Sequence, residues 1–228
     1  MKYILMDVEG TTTSISFVHD ILFPYSKERI ETFVKDHLKN DLVTQSLDLL
    51  KATVLTEENL LLDLDGSISK LLSWIESDRK HPALKNIQGM IWKSGYHSGE
   101  IKGHVYDDVA MAIEEWKNAG LKLGVYSSGS VEAQKDLFTY SVAGNLSSYF
   151  SHHFDTAIGH KREIASYQKI ASALAIHPSE ILFLSDIKEE LDAAKSAGFA
   201  TIQLVRNPPL EFQGHTQARS FKDIRSIQ

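Results

Sequence analysis

The N-terminal stretch Lys2-Tyr3-Ile4-Leu5-Met6-Asp7-Val8-Glu9-Gly10-Thr11-Thr12 decides how the fold is interpreted. Its apolar run, Tyr3 to Met6, is too short for a helix and ends abruptly at Asp7, as expected for a strand buried on both faces of a parallel sheet. Asp7 then lies at the carboxyl end of that strand, which is the edge of an open α/β sheet where ligands bind. Gly10 and the threonines after it predict a flexible turn rich in hydroxyl groups and backbone amide donors.

Two carboxylates lie close together in this turn, because Glu9 follows Asp7 by only two positions. A pair of carboxylates in different environments can divide the roles of nucleophile and general acid. Taken alone, Asp7 is explained equally well as a helix-capping residue at the end of a strand. The rest of the chain decides between the two interpretations.

The composition is that of an ordinary globular protein. The 228 residues are enough for one domain with a large core or for one domain carrying an insertion. The formal net charge of −6 argues against nucleic-acid binding, which needs clustered Lys and Arg, and the absence of cysteine excludes disulfides, thiolate metal sites and cysteine nucleophiles. No signal-peptide pattern opens the chain and no run of about 18 apolar residues occurs, so we expect a cytoplasmic protein that does not bind a membrane.

The order of predicted elements indicates an α/β fold with an insertion. Apolar residues recur at helical spacing, with no obvious strand, from roughly residue 15 to residue 100. Alternation then resumes, with strands predicted at 121–126, 181–184 and 200–205. We therefore predict a doubly wound parallel sheet with a helical cap inserted after the first strand. The expected domains are a core of residues 1–14 and 103–228 and a cap of residues 15–102.

Three further segments carry reactive groups at or near strand ends. Ser127 and Ser128 follow the strand at 121–126 and precede a helix, where hydroxyls and amides can hold an anion. Asp186 follows the strand at 181–184, and Lys161 lies in a loop just ahead of another helix. Each feature alone is more often a helix cap or a solvated surface charge.

Together these groups predict phosphoryl-transfer chemistry. The carboxyl ends of parallel strands point to the same side of a sheet, so the strand-end residues should converge, with Lys161 on a neighbouring loop. Acids at separate strand ends, without cysteine or a Glu-x-x-His spacing, suit a hard ion with oxygen ligands, and Mg²⁺ is the usual ion beside phosphates. A cation, a lysine and hydroxyl donors would neutralise the phosphate oxygens, which allows a carboxylate to attack phosphorus.

The same segments resemble the four signatures of the haloacid dehalogenase-like phosphotransferases. They are Asp-Val-Glu-Gly-Thr-Thr at 7–12, Tyr-Ser-Ser-Gly-Ser at 126–130, Lys161, and Ser185-Asp186. Most phosphatases of that superfamily carry Asp two residues after the nucleophile, whereas this chain carries Glu9. The longer string at 7–18 resembles the acireductone synthase family, the enolase-phosphatases of methionine salvage. Further matching strings lie at 20–25, 88–99, 103–106, 126–134 and 154–161.

This resemblance implies catalytic and metal-binding roles for three residues. Asp7 would be the nucleophile that forms an aspartyl-phosphate, and its other oxygen would bind Mg²⁺. Glu9 would act as general acid and then as general base, and its backbone carbonyl would also contribute to the metal site. Asp186 would be a further ligand of the one Mg²⁺ expected per subunit.

The resemblance also implies a substrate and its binding residues. Ser127, Ser128 and Lys161 would bind the substrate phosphate, and Glu190 stands where a second acid often supports the metal or the lysine. The expected substrate is a small molecule, 2,3-diketo-5-methylthiopentyl 1-phosphate, which is enolised and then dephosphorylated to the acireductone by a monomeric enzyme. The enolisation base is left open between Glu9 and a cap residue. The stretch from Trp92 to Tyr96 either lines an apolar pocket for the methylthio tail or packs the cap core.

Three other functions are compatible with parts of this pattern. The nearest is a Mg²⁺-dependent phosphatase of the same fold that acts on another small phosphomonoester, from which only the family-specific strings separate this chain. A phospho-accepting receiver module is disfavoured by the helical insertion and by the acid two residues after Asp7. A dehalogenase, in which the same Asp attacks carbon, needs neither Mg²⁺ nor Glu9.

Overall fold

A six-stranded parallel sheet forms the centre of the computed structural model, which describes residues 1–206 and 214–224. The strand order is β3-β2-β1-β4-β5-β6, and each neighbouring pair is parallel. The strands are β1 (Tyr3–Met6), β2 (Lys122–Tyr126), β3 (Phe150–Phe154), β4 (Ile181–Ser185), β5 (Ala200–Leu204) and β6 (Thr216–Ala218). The predicted doubly wound parallel sheet is confirmed.

Eight α-helices lie between these strands in the described part of the chain. They are α1 (Phe23–Asp36), α2 (Asp41–Glu58), α3 (Leu64–Glu76), α4 (Pro82–Ser98), α5 (Val109–Asn118), α6 (Val131–Thr139), α7 (Ile164–Leu174) and α8 (Lys188–Ser196). A π-helical turn (Phe17–Leu22) precedes α1, and short 3-10 turns occur at Ser147–Tyr149, Pro178–Glu180 and Phe221–Asp223. None of these helices is long and apolar enough to cross a membrane.

The chain divides into two compact units. One comprises Met1–Ile15 and Lys102–Gln228, and the other comprises Ser16–Ile101. Residues 207–213 and 225–228, which belong to the predicted core domain, lie outside the described residues.

The unit Ser16–Ile101 is wholly helical, as its hydrophobic periodicity predicts. Asn40 begins α2 by accepting hydrogen bonds from the backbone of Leu42 and Val43, and Asp63 begins α3 by accepting one from Gly66. The apolar faces of the helices meet in one core, which includes Ile30, Val34, Leu50, Leu71, Trp74 and Ile87. The Asp63 cap fixes the start of α3 at Leu64.

The two edge strands of the described sheet, β3 and β6, were not predicted. The sequence of β3 is Phe-Ser-His-His-Phe, and Ser151 and His152 are exposed. An edge strand lacks a neighbour on one side and therefore does not need the continuous apolar run of a central strand. By contrast, all four residues of β1, at the centre, are fully buried.

Candidate active site

The register of the sheet brings the carboxyl ends of three strands to one level. Met6 of β1 pairs with Val125 of β2 on one side and with Leu184 of β4 on the other. The backbone amide of Asp7 then donates to the carbonyl of Leu184, at 2.9 Å. The residues that follow these strands, including Asp7, Ser127 and Asp186, therefore lie along a common edge of the sheet, where α/β proteins bind ligands.

A tight turn follows Asp7. Gly10 has a φ of 77°, a conformation that glycine adopts without strain, and its amide donates to the carbonyl of Thr13 at 2.8 Å. The hydroxyl of Thr12 lies within hydrogen-bond distance of the carbonyls of Asp7 and Val8, at 3.3 and 3.2 Å. These bonds fix the direction of the chain directly after the buried Asp7 side chain.

Lys161 lies between two carboxylates. Its ammonium nitrogen contacts Oδ1 of Asp7 and lies 2.7 Å from Oε2 of Glu190, and all three side chains are buried. The hydroxyl of Ser185 also donates to Oε2 of Glu190, at 3.0 Å. The two carboxylates raise the pKa of Lys161 despite its burial, so the side chain is a permanent cation at neutral pH. The structure thus brings Asp7, Lys161 and Glu190 together.

Glu9 pairs with a hydroxyl group rather than with the ammonium. The Oγ of Ser127 donates to Oε2 of Glu9 at 3.1 Å, and this Ser127 Oγ itself accepts a hydrogen bond from the amide of Gly129 at 3.0 Å. Ser127 is buried, whereas Glu9 is partly exposed. Asp7 and Glu9 therefore have different environments, with an ammonium beside one and a hydroxyl beside the other.

Ser128 is partly exposed between β2 and α6. The first turn of α6 is capped by neighbouring residues: Ser130 Oγ accepts from the amide of Ala133, and Asp155 Oδ2 accepts from that of Val131. Since Ser130 and Asp155 supply this cap, Ser127 and Ser128 are not needed as capping residues of α6.

Asp186 is joined to the turn after Asp7 through Thr11. Its backbone amide donates to the Thr11 hydroxyl at 3.1 Å, and that hydroxyl lies 3.5 Å from Asp186 Oδ1. The Asp186 carboxylate also lies directly over Gly10, where a Cβ atom would approach Oδ2 to 2.2 Å. Any side chain at position 10 would therefore displace this carboxylate.

Burial and mutual repulsion raise the pKa values of Asp7 and Asp186. Burial is the main cause for Asp7, the charges of Glu190, Glu9 and Asp186 add to it, and Lys161 opposes it. Burial also raises the pKa of Asp186 to about 6, with a further contribution from Glu190. This group of residues contains four carboxylates, those of Asp7, Glu9, Asp186 and Glu190, but only one ammonium, that of Lys161. A bound cation would neutralise the excess negative charge.

The donor set fits a hard divalent cation. Asp7 and Asp186 offer carboxylate oxygens at adjacent strand ends, and the turn after Asp7 includes the backbone carbonyl of Glu9. Across residues 1–206 and 214–224, no group of three or more His, Asp or Glu side chains is arranged to hold a metal. A site with two carboxylates and a carbonyl uses only two side chains, so both observations are compatible.

A buried ion pair behind the turn was not predicted. Arg206 pairs with Asp108, and its remaining nitrogens donate to the carbonyl of Thr11 at 3.0 and 2.7 Å. Arg206 also stacks between the rings of Tyr106 and Phe221, at 4.2 and 5.0 Å from their centroids. A single Arg beyond the last clear strand carries no local pattern that marks it as a partner of the turn.

Trp92, in the helical unit, makes contacts typical of a packing residue. Its indole nitrogen donates to the carbonyl of Leu22 at 2.8 Å, and its ring is parallel to that of Phe23, at 6.4 Å between centroids. Because Trp92 is only partly buried, these contacts leave part of its ring accessible.

A comparison with protein families defines the class to which this fold and site belong. Residues 1–198 match the model of the haloacid dehalogenase-like hydrolases. The chain belongs to that family of hydrolases.

Relatives matched over nearly their full length show which family within these hydrolases the chain belongs to. The Enolase-phosphatase E1 of Yersinia enterocolitica is 49% identical over 224 residues, which are 98% of this chain and 96% of the relative. That of Marinobacter nauticus is 45% identical over 228 residues, covering 100% of this chain and 98% of the relative. Within the hydrolases, the chain is a member of the enolase-phosphatase E1 family, as the resemblance to acireductone synthases predicts.

Solved structures agree with the fold. The UTR4 protein of Saccharomyces cerevisiae is 33% identical, with a TM-score of 0.78 and coverage of 98% of this chain and 99% of that one. CbbY from Rhodobacter sphaeroides, at 19% identity and a TM-score of 0.63, covers 100% of this chain and 97% of its own and shares the fold alone.

Proposed function

We propose that this protein is a Mg²⁺-dependent enolase-phosphatase that converts 2,3-diketo-5-methylthiopentyl 1-phosphate to the acireductone in methionine salvage. The observation that carries the proposal is the separation of two neighbouring carboxylates. Asp7 contacts the Lys161 ammonium in a buried cluster, whereas Glu9 accepts a hydrogen bond from Ser127. Such a difference suits one carboxylate that attacks and another that moves protons. Membership of the enolase-phosphatase family supports the choice of substrate.

Phosphoryl transfer would begin with attack by a carboxylate oxygen of Asp7 on phosphorus. The ester P–O bond breaks, and Glu9 gives a proton to the leaving oxygen. Glu9 then takes a proton from a water molecule, whose oxygen attacks the aspartyl-phosphate. Phosphate leaves and Asp7 is regenerated as a carboxylate.

Three side chains would hold the phosphate during these steps. The Lys161 ammonium, which already contacts Asp7, would neutralise phosphate oxygens as the two anions approach each other. The hydroxyls of Ser127 and Ser128 would donate to the remaining oxygens. Glu190 keeps Lys161 between two carboxylates, so the ammonium has a fixed position before substrate binds.

One Mg²⁺ would be held by Asp7, by the backbone carbonyl of Glu9 and by Asp186. When bound, the ion supplies positive charge that stabilises phosphate oxygens and a developing enolate. The raised pKa values of Asp7 and Asp186 support this assignment, because a bound cation would favour their ionised forms.

Enolisation would come before dephosphorylation. A base removes a proton from the carbon that bears the phosphate ester, and the electron pair moves to the neighbouring carbonyl. Glu9 is one candidate base, and a residue of the unit Ser16–Ile101 is the other. We propose that this helical unit is the cap domain, that the core domain comprises the remaining residues, and that the enzyme works as a monomer in the cytoplasm.

The proposal is tested by following two signals from the diketo phosphomonoester with Mg²⁺. Ultraviolet absorbance reports the enol, and a colorimetric assay reports phosphate. An absorbance rise followed by phosphate release supports the bifunctional enzyme, and Asp7→Asn should release no phosphate. Phosphate release without any enol would instead favour a plain phosphatase of the same fold, which is the second candidate.

A further inference from the structure

Four successive backbone carbonyls that lead to Lys161 each accept a hydrogen bond from a side chain. The donors come from β2 and from α7, the helix that follows the loop. The pairs are Lys169 Nζ to Ile158 at 3.2 Å, Tyr126 OH to Gly159 at 3.0 Å, Ser166 Oγ to His160 at 2.8 Å, and Tyr167 OH to Lys161 at 2.7 Å.

The three hydroxyl donors are buried. Tyr126, Ser166 and Tyr167 are at most 1% exposed, so none of these hydroxyls exchanges its partner for bulk water at low cost. Burial also raises the pKa values of Tyr126 and Tyr167, which keeps both phenols protonated as donors. Loop carbonyls usually bond to water, whereas these are fixed by rigid elements of the fold.

Gly159 permits the close approach of the Ser166 side chain to the loop. Its φ is 147°, and a Cβ atom there would lie 2.1 Å from the hydroxyl oxygen of Ser166. A larger residue would therefore separate the loop from α7 at the hydroxyl that holds the next carbonyl. The hydrogen bond from Ser166 to the His160 carbonyl therefore depends on glycine at position 159.

The same tyrosines connect the loop to the rest of the site. The Lys161 ammonium lies 5.8 Å from the centre of the Tyr126 ring, and Tyr126 directly precedes Ser127. The Tyr167 ring packs edge-to-face against Tyr126 and against Phe183 of β4, with centroids 5.7 and 5.2 Å apart. Both ends of Lys161 are thus held: its carbonyl by Tyr167, and its ammonium by Asp7 and Glu190.

We propose that Tyr126, Ser166 and Tyr167 are positioning residues that fix the backbone of residues 159–161, so that the Lys161 ammonium meets the reacting phosphate. A lysine side chain has four rotatable bonds, and anchoring its backbone reduces the conformational freedom lost when phosphate binds. The inference rests on the proposed role of Lys161 as a phosphate ligand. It assigns these hydroxyls a function in phosphate binding beyond packing of the core.

A double-mutant cycle tests this inference. Tyr167→Phe removes one hydroxyl and keeps the ring, and it is made both in the wild-type chain and in a Lys161→Met background. Tyr3→Phe is the matched control, because Tyr3 is also fully buried but begins β1, roughly 13 Å along the strand from Asp7. The readouts are binding of inorganic phosphate with Mg²⁺ by calorimetry, and turnover of the diketo phosphomonoester.

We expect Tyr167→Phe to weaken phosphate binding about tenfold in the wild-type chain, since one buried hydrogen bond is lost. It should have no further effect when Lys161 is already Met, and Tyr3→Phe should leave phosphate binding unchanged in either background. An equal effect of Tyr167→Phe in both backgrounds, or an effect no larger than that of Tyr3→Phe, would overturn the positioning role. So would a wild-type protein that does not bind phosphate.

The same measurements distinguish failure of the positioning role from failure of the proposed function. If the wild-type protein binds phosphate with the predicted coupling between Tyr167 and Lys161 but does not turn over the diketo ester, the positioning role stands and the substrate assignment is wrong.

Discussion

Arg206 and Asp108 form a buried ion pair behind the turn that follows Asp7, in which one guanidinium nitrogen contacts both carboxylate oxygens. Nη1 of Arg206 lies 2.8 Å from Oδ1 and 2.7 Å from Oδ2 of Asp108, and the side chains are only 8% and 10% exposed. The remaining guanidinium nitrogens donate to the carbonyl of Thr11. The segment after β5 is thereby tied to the turn after β1.

Breaking this pair should destabilise the protein strongly. Asp108→Asn leaves a buried guanidinium without its counter-charge, so we expect the free energy of unfolding to fall by about 3 kcal/mol. Glu180→Gln is the control, because the Lys2–Glu180 pair is largely exposed and should contribute below about 1 kcal/mol. Urea unfolding measures both, and equal losses would contradict the account.

The Thr11 hydroxyl should influence metal affinity through Asp186. Thr11→Val removes the acceptor of the Asp186 amide, which frees the loop that orients the proposed ligand. We expect Mg²⁺ affinity to fall at least about tenfold, as is typical when a group that orients a ligand is lost. Thr11→Ser keeps the hydroxyl and should retain most of the affinity in a calorimetric titration. If the two variants bind Mg²⁺ equally well, the hydroxyl has no such role.

Gly10 is needed both for its positive φ and for the space that the Asp186 carboxylate occupies, and a second glycine variant separates these two requirements. Gly10→Ala introduces left-handed backbone strain of about 1–2 kcal/mol and drives a Cβ atom into the Asp186 carboxylate. Gly120→Ala has a similar positive φ, but its Cβ would meet open space. We expect comparable backbone strain in the two variants and a large loss of phosphate release only in Gly10→Ala. Full activity in Gly10→Ala would refute the steric argument.

His153 should make the protein less stable in mild acid. Burial, with smaller contributions from Lys135 and His152, lowers the pKa of His153 from 6.5 to about 4. The folded state therefore binds fewer protons than the unfolded state between these values, so stability is complete above pH 6.5 and falls as pH decreases.

Near pH 5.5 the His153 contribution is a loss of about 1 kcal/mol, after allowance for its partial exposure. Denaturant unfolding of His153→Gln should show a correspondingly smaller decrease between pH 7 and 5.5, whereas His177→Gln should behave like the wild-type chain. An unchanged decrease in His153→Gln would show that this ring is not the source.

The sequence predicted the parts of the site that follow central strands. Asp7, Ser127 and Asp186 could be placed together because parallel strands share one carboxyl edge, and the Asp7–Lys161 contact brings in the loop lysine. Strand β3 was missed because an edge strand with exposed Ser151 and His152 has no diagnostic apolar run.

The supporting residues were beyond the reach of sequence patterns. Arg206 acts on Thr11 across 195 positions, and Tyr167 acts on the carbonyl of Lys161 through a phenol that periodicity assigns simply to a helix core. Such contacts depend on how the loops are positioned in three dimensions, and neither spacing nor composition records that.

The most direct test of the account is whether Asp7 becomes phosphorylated during turnover. The enzyme is mixed with the diketo phosphomonoester and Mg²⁺, quenched in acid over a series of times, and digested for mass spectrometry. The account predicts one phosphoryl group on Asp7, present only during turnover and absent from Asp7→Asn. Phosphate release without a phosphorylated Asp7 at any quench time, or a phosphoryl group on another residue, would contradict it.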